Sequence, residues 1–289
     1  MKPPFTNPHQ MRAFAQVVRK GSISAAAQQL GVSQSAISQH ISKVETLVGS
    51  KLLIRGRDGV TLTTIGQEIF SLADEFAALD QQIAERLHQH SELDLGHISI
   101  IANAPQPALR LIARFTRRFP KISVNFGLCD WSSAVEQLHS HRVDIAFITD
   151  PPQQTDLFIK EIIRSRYVAY ARADHPIATL QSSRLADLVE HTLVLPEKGS
   201  LTQRVVKQAL KKANLTLQRS VTMTTFPVMK EAVLQGVGVG IFLQHSSVAA
   251  KDLCEIPIAD MPEEFSTCLV VPKHKLGLRV TQSFLEALD

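Results

Sequence analysis

Between Thr63 and Gly96 the chain holds one glycine, Gly66, and no proline. Apolar residues fall there at Ile65, Ile69, Leu72, Phe76, Leu79, Ile83 and Leu87, at spacings of 4, 3, 4, 3, 4 and 4. This is the a/d pattern of a coiled-coil helix, kept for nearly three heptads. At ~1.5 Å per residue the helix is about 36–40 Å long. A seam of that length needs a facing surface, and a head of roughly 60 residues is too small to supply it. The pattern therefore predicts a homodimer through Ile65, Ile69, Leu72, Phe76, Leu79 and Ile83; packing on the chain's own second domain is the alternative. Seven acids in 64–95 against Arg86 alone lie mostly off the seam and read as a solvated face that keeps the helix off DNA.

The same helix divides the chain by charge. Residues 1–63 carry eight Lys/Arg against Glu45 and Asp58, whereas the 194 residues after the helix carry 22 basic and 18 acidic groups. The net charge of +4 thus conceals a compact basic head suited to a polyanion. With 44% hydrophobic and 20% charged residues, the 289-residue chain is globular and of a size for about two domains. Three widely spaced cysteines, Cys129, Cys254 and Cys268, argue against a disulfide framework or a thiolate zinc site and fit the reducing cytoplasm. The first residues lack a secretory apolar region, and no apolar run is long enough for a membrane span.

Within the head, Asn7 and Pro8 open a helix with Met11, Phe14, Val17 and Val18 on one face, stopped by Gly21. Ser22 caps a short helix, Ile23–Leu30, whose Ala25, Ala26 and Ala27 allow close approach of a neighbour. Gly31-Val32-Ser33 is a tight turn, and a third helix runs from Gln34 to Val48 with Ile37, Ile41, Val44 and Leu47 or Val48 inward. Two helices joined by a three-residue turn form a helix-turn-helix. Ser33, Gln34, Ser35, Ser38, Gln39 and Lys43 are left to meet base edges and phosphates in a major groove. Lys51–Arg55 and Val60–Thr63 pair as a wing, with Arg55 and Arg57 near its tip to hold phosphates.

The run from Met11 to Gln67 resembles the LysR-type transcriptional regulators. The residues that carry the likeness are Phe14, Val17, Gly21-Ser22-Ile23-Ser24-Ala25-Ala26-Ala27, Leu30, Val32-Ser33-Gln34, Ala36-Ile37-Ser38, Ile41, Glu45, Leu47, Gly49, Leu52, Arg55, Leu62-Thr63 and Gly66. The chain departs from the family at Ser35, where Pro is usual, at Leu53, where Phe is usual, and at Gln39, where Arg is frequent. The last change removes a charge from the recognition helix. The resemblance implies that the linker helix is the dimerisation element, that the dimer stands alone or pairs into a tetramer as a dimer of dimers, and that double-stranded promoter DNA is the partner.

After Gly96, strands and helices alternate, which predicts a parallel sheet. Strands are expected at 97–102, 122–128, 144–149, 158–163, 167–172, 192–195, 217–222, 237–243 and 267–272. Helices are expected at 105–119 (Leu109, Ile112, Phe115 and Phe119 inward), 132–141, 185–190, 201–213, 227–235 and 279–288. The whole resembles the family's effector domain, a two-lobed α/β fold of periplasmic-binding-protein type. That likeness divides the chain into a winged helix-turn-helix (1–63), a linker helix (64–95) and an effector domain (96–289). Lobe one is then 96–160 plus 266–289, and lobe two is 161–265. A small-molecule effector would lie between the lobes, at strand ends and helix starts. The candidates there are Asn103, Ala104, Gln106, Trp131, Ser132, Ser133, Thr149, Ser200, Thr202, Thr224 and Phe226.

No cofactor, metal site or catalytic motif emerges. Gly236-Val-Gly238-Val-Gly240 follows a helix and opens a strand, the reverse of a dinucleotide loop. His139-Ser-His141 and His88-Gln-His90 have metal-like spacing without an acid in register, and read as surface histidines. The sequence thus points to a cytoplasmic, effector-responsive transcription factor. Its alternatives are a thiol-redox regulator, or a small-molecule-binding protein or enzyme with a vestigial DNA-binding head.

Overall fold

The computed structural model describes residues 7–56, 59–87, 96–248 and 250–288. Arg57, expected near the wing tip, lies outside these residues, as does the stretch 88–95 that holds His88 and His90.

The head is built from α1 (Pro8–Lys20), α2 (Ile23–Leu30), α3 (Gln34–Val48), and the antiparallel wing β1 (Leu53–Gly56) and β2 (Gly59–Leu62). Each helix start has the side-chain cap its sequence predicts. Asn7 accepts from the His9 amide at 2.9 Å, Ser22 from Ala25 at 3.4 Å and Ser33 from Ala36 at 3.2 Å. Gly31 ends α2 at φ 66°, a left-handed conformation that costs a residue with a Cβ, so the turn into α3 depends on it. Met11, Phe14, Val17, Ala26, Ala27, Ile37, Ile41 and Val44 form the core. The inward stripe of α3 stops at Val44; Leu47 and Val48 are exposed. Glu45 is buried instead and fastens α3 to the wing. Its carboxylate accepts from the Leu52 and Leu53 amides at 3.0 and 3.4 Å and pairs with Lys51 at 2.6 Å. Burial opposes its charge, yet these partners hold its pKa below the ordinary value.

The linker helix α4 (Thr64–Leu87) has two working faces. Phe70 and Ala73 enter the head core, Ala78 enters a core beneath the next domain, and Gln82 donates to the His274 carbonyl at 2.9 Å. Glu85 accepts from the Arg279 amide at 3.0 Å. The opposite face carries the seam, where Ile65, Leu72, Phe76, Leu79 and Ile83 are exposed and Ile69 is half-buried against the head. The reading of the acids as a solvated face fails at Asp74, which is fully buried.

The remainder comprises β3 (Gly96–Ala102), α5 (Ala108–Arg118), β4 (Ile122–Leu128), α6 (Trp131–His139), β5 (Ile145–Thr149), β6 (Leu157–Arg172), α7 (Leu185–Val189), β7 (Leu193–Pro196), α8 (Leu201–Lys212), β8 (Ser220–Met223), α9 (Phe226–Leu234), β9 (Val239–Leu243), β10 (Leu253–Pro257), β11 (Glu264–Pro272) and α10 (Arg279–Glu286). Strand order is β4-β3-β5-β11-β6-β9-β7-β8, with β10 beside β6. The two strands expected at 158–163 and 167–172 are one. Arg164, Ser165 and Arg166 break the apolar pattern without turning the chain, because their backbone pairs with Ser266, Phe265 and Glu264 of β11; Arg166 bonds Glu264 across the sheet and Arg164 bonds Glu161 along its own strand. Residues Leu157–Arg166 of β6 pair with β11, and Tyr167–Tyr170 pair with β9. Strand β10, which no expectation covered, pairs antiparallel with β6 at Val168–Arg172. Helix α5 turns Phe115 inward and packs Ile112 and Phe119 against the core as expected, but Ala108 and Leu111 complete the buried face and Leu109 is exposed. Separate cores fill the β3/β4/β5 end and the β7/β9 end.

Candidate DNA interface and effector cleft

On α3, Gln34, Ser35, Gln39 and Lys43 are exposed and Ser38 is half-buried. Ser33 is committed as the cap, and its hydroxyl also bonds that of Ser35 at 2.8 Å. The face opposite Ile37, Ile41 and Val44 is thus a continuous polar surface, and Arg55 is exposed on the adjoining wing. Long amide and ammonium side chains on a helix of 15 residues suit base edges and phosphates.

Between the two cores lies a cavity of about 60 Å³. By volume it holds a few water-sized groups, on the order of four. Of the sequence candidates, Asn103, Ala104, Trp131, Ser200, Thr202, Thr224 and Phe226 line it. The others do not. Gln106 borders a separate groove beside Pro107 and Arg110. Ser133 bonds to Asp130, and Ser132 donates across the cleft to the Gly199 carbonyl at 3.2 Å. Thr149 is buried; its hydroxyl bonds that of Thr267 at 3.1 Å and its carbonyl accepts from the Trp131 indole at 2.8 Å. Sequence reasoning misses further lining residues: Tyr167, Phe242, Leu243 and Ser246 reach it from strands and a loop, and Met229 from α9, with no local signal of a site. Two further contacts close the cleft. The Arg204 guanidinium lies 4.4 Å from the Trp131 ring centroid. Gly199, at φ 105°, sits so close that a Cβ there would meet the Asp130 carboxylate at 3.0 Å.

Helix starts at the cleft are unequal. Asp130 accepts from the Ser132 and Ser133 amides at 2.9 and 3.1 Å and so occupies the start of α6. The starts of α8 and α9, at Ser200 and Thr225, have no side-chain cap.

The family model described as the LysR substrate binding domain matches residues 87–289, and that of the bacterial regulatory helix-turn-helix protein, lysR family, matches 8–67. The chain belongs to the LysR family. It is a DNA-binding transcriptional regulator with an N-terminal helix-turn-helix and a C-terminal effector-binding domain, and the family is non-catalytic. It is 27% identical over 271 residues to the RuBisCO operon transcriptional regulator of Allochromatium vinosum, covering 92% of this chain and 90% of that one. It is 28% identical over 283 residues to the probable HTH-type transcriptional regulator LrrA of Synechococcus elongatus, covering 96% and 91%. In fold it is similar to a full-length OxyR variant from Pseudomonas aeruginosa, with a TM-score of 0.79 at 18% identity over 99% of this chain and 95% of that one. It is also similar to full-length CbnR complexed with target DNA, with a TM-score of 0.59 at 20% identity over 98% of each chain. No helix among the described residues is long and apolar enough to cross a membrane.

Two features of this LysR-family chain bear on its alternatives. Burial pushes the Cys129 and Cys268 thiols up to about 11, with neighbouring acids adding to it, which suppresses the reactive thiolate. Cys254 and Cys268 sit in different cores. The second feature joins the three parts of the chain. Asp74 of α4 accepts from Arg19 of α1 at 2.6 Å, and its other oxygen faces His274 at 3.1 Å, Lys275 at 3.4 Å and His141 at 3.7 Å. Burial opposes the charge, but His274, Lys275 and Arg19 hold the Asp74 pKa well below the carboxylate range. His141, expected at the surface, is buried, and burial with His274 beside it pushes its pKa down to about 4. Asp74, His141 and His274 bring their donor atoms within 4.8 Å of one another, a spacing that suits a cation. Two cations already neutralise Asp74, and at ~4 Å each would repel a dication by several kcal/mol at an effective dielectric of about 20. The cluster is an ion-pair network.

Proposed function

We propose that this regulator binds promoter DNA as a dimer of winged helix-turn-helix heads and is switched by a small effector held between its lobes. Its parts are the head at 1–63, the linker at 64–95 and the effector domain at 96–289, with lobe two at about 161–265. Ser33, Gln34, Ser35, Ser38, Gln39 and Lys43 serve the groove and its phosphates, and Arg55 and Arg57 the backbone beside it. The carrying observation is the polar face of α3, open to solvent while the other face holds the head together. The exposed seam of α4 supplies the second copy, and a two-fold dimer reads a site with two half-sites. Tetramers would form through further surfaces.

The cleft favours a small, mainly apolar effector with one acidic or hydroxyl end. Asp130 closes the start of α6 to an anion, so the polar end belongs at the uncapped starts of α8 and α9, beside Ser200, Thr202 and Thr224. A footprint on the chain's own promoter tests the DNA reading: a protected interrupted palindrome is expected. Gln34→Ala should lose discrimination at one base of each half-site, by about 1–3 kcal/mol. Equal affinity of the unaltered protein for its promoter and for random duplex would overturn it.

A further inference from the structure

We propose that α6 carries the state of the cleft to the DNA-binding head through the buried junction at Asp74. The inference rests on the effector reading above and gives it a route within one chain. At its first residue α6 is tied to both lobes, since the Trp131 indole bonds the Thr149 carbonyl and lies under Arg204 of α8. The helix is nine residues, about 13 Å at ~1.5 Å per residue, and moves as a stiff rod. At its far end His141 turns the chain at φ 54°. The carbonyls of His141 and Val143 and the carboxylate of Asp144 then accept from Lys275 at 3.2, 3.1 and 3.0 Å.

Those three bonds use all the hydrogens of the Lys275 ammonium, which is 1% exposed. The ammonium is therefore placed by the turn that leads from α6 to β5, and its charge faces Asp74 at 3.4 Å. Asp74 in turn holds Arg19, near the C-terminal end of α1, and α1 shares the head core with α3. A shift of Trp131 as the cleft closes moves the two carbonyls, and Lys275 with them. Asp74 must then follow or lose a buried partner, which is costly. On this route the junction would take a second arrangement when the cleft closes, and both the cleft and the head would bias the balance.

The test needs no effector. Asp74→Asn, Trp131→Phe and the double variant are unfolded in urea and followed by circular dichroism. Distant sites without a shared partner multiply their effects on the unfolding constant to within about twofold. We expect a departure of about fivefold or more. Trp131 is the single tryptophan, so its acrylamide quenching reads the cleft directly, and Asp74→Asn should alter it. Multiplicative effects together with unchanged quenching overturn the route. If Asp74→Asn does not fold, Arg19→Gln, whose side chain is 26% exposed, takes its place with the same readouts. Anisotropy titration of duplex DNA on the same proteins separates the two readings. Loss of specific promoter binding in the unaltered chain would remove the proposed function, whereas multiplicative effects and unchanged quenching with DNA binding intact remove the α6 route alone.

Discussion

His141 shows how far a residue's surroundings override its type. As one of two histidines flanking a serine it reads as a surface group, yet it is buried against His274 beside Asp74. Its folded pKa of about 4 lies below the ordinary 6.5, so between these values the unfolded chain binds more protons. Stability from this group is present above about 6.5 and is lost as the pH falls toward 4. His141→Asn keeps a residue tolerant of the left-handed backbone and removes the titrating ring. Urea midpoints at pH 4.5 and 7.5 should lie closer together in this variant than in the unaltered protein. An equal spacing would assign the slope to other groups.

At the scale of elements, α4 offers two apolar faces with opposite predicted behaviour. Leu72 and Leu79 are 65% and 56% exposed, whereas Phe70 is fully buried and meets Phe14 edge-on. Leu72→Glu with Leu79→Glu should leave each chain folded and separate the copies, seen as a halved mass in sedimentation. Phe70→Ala should instead cost about 3–5 kcal/mol of stability. The seam is legible because its period of 3.5 is written in the chain itself. The second face is not, since small residues such as Ala73 and Ala78 give little hydropathic signal and Asp74 gives the wrong one. Strand β6 misleads for a related reason. Arg164 and Arg166 resemble a break unless Glu161 and Glu264 are known to lie beside them.

For the whole molecule, the charge division along the chain predicts how DNA binding responds to salt. The affinity should fall linearly in log–log form as counterions are displaced, and Arg55→Ala should reduce that slope by about 1 with little effect on base preference. A slope unchanged by Arg55→Ala would take the wing off the backbone. The helix-turn-helix is readable because caps, turn and stripe are local. The cleft is half-readable, since helix starts such as Ser200 are local signals, whereas Phe242 and Tyr167 arrive from across the sheet. The Asp74–His274 bond joins residues 200 positions apart, and no local pattern foretells it.

Strand β6 runs unbroken for 16 residues through both lobes, about 50 Å at ~3.3 Å per residue, with β11 hydrogen-bonded along its first part. Lobes strung on a pair of hydrogen-bonded strands, broken only by a register shift at Thr267/Cys268, would resist swinging more than winding about the long axis, as a torsion bar does. A signal passed along such a beam would be a torque, delivered as rotation to whatever is clamped at the far end.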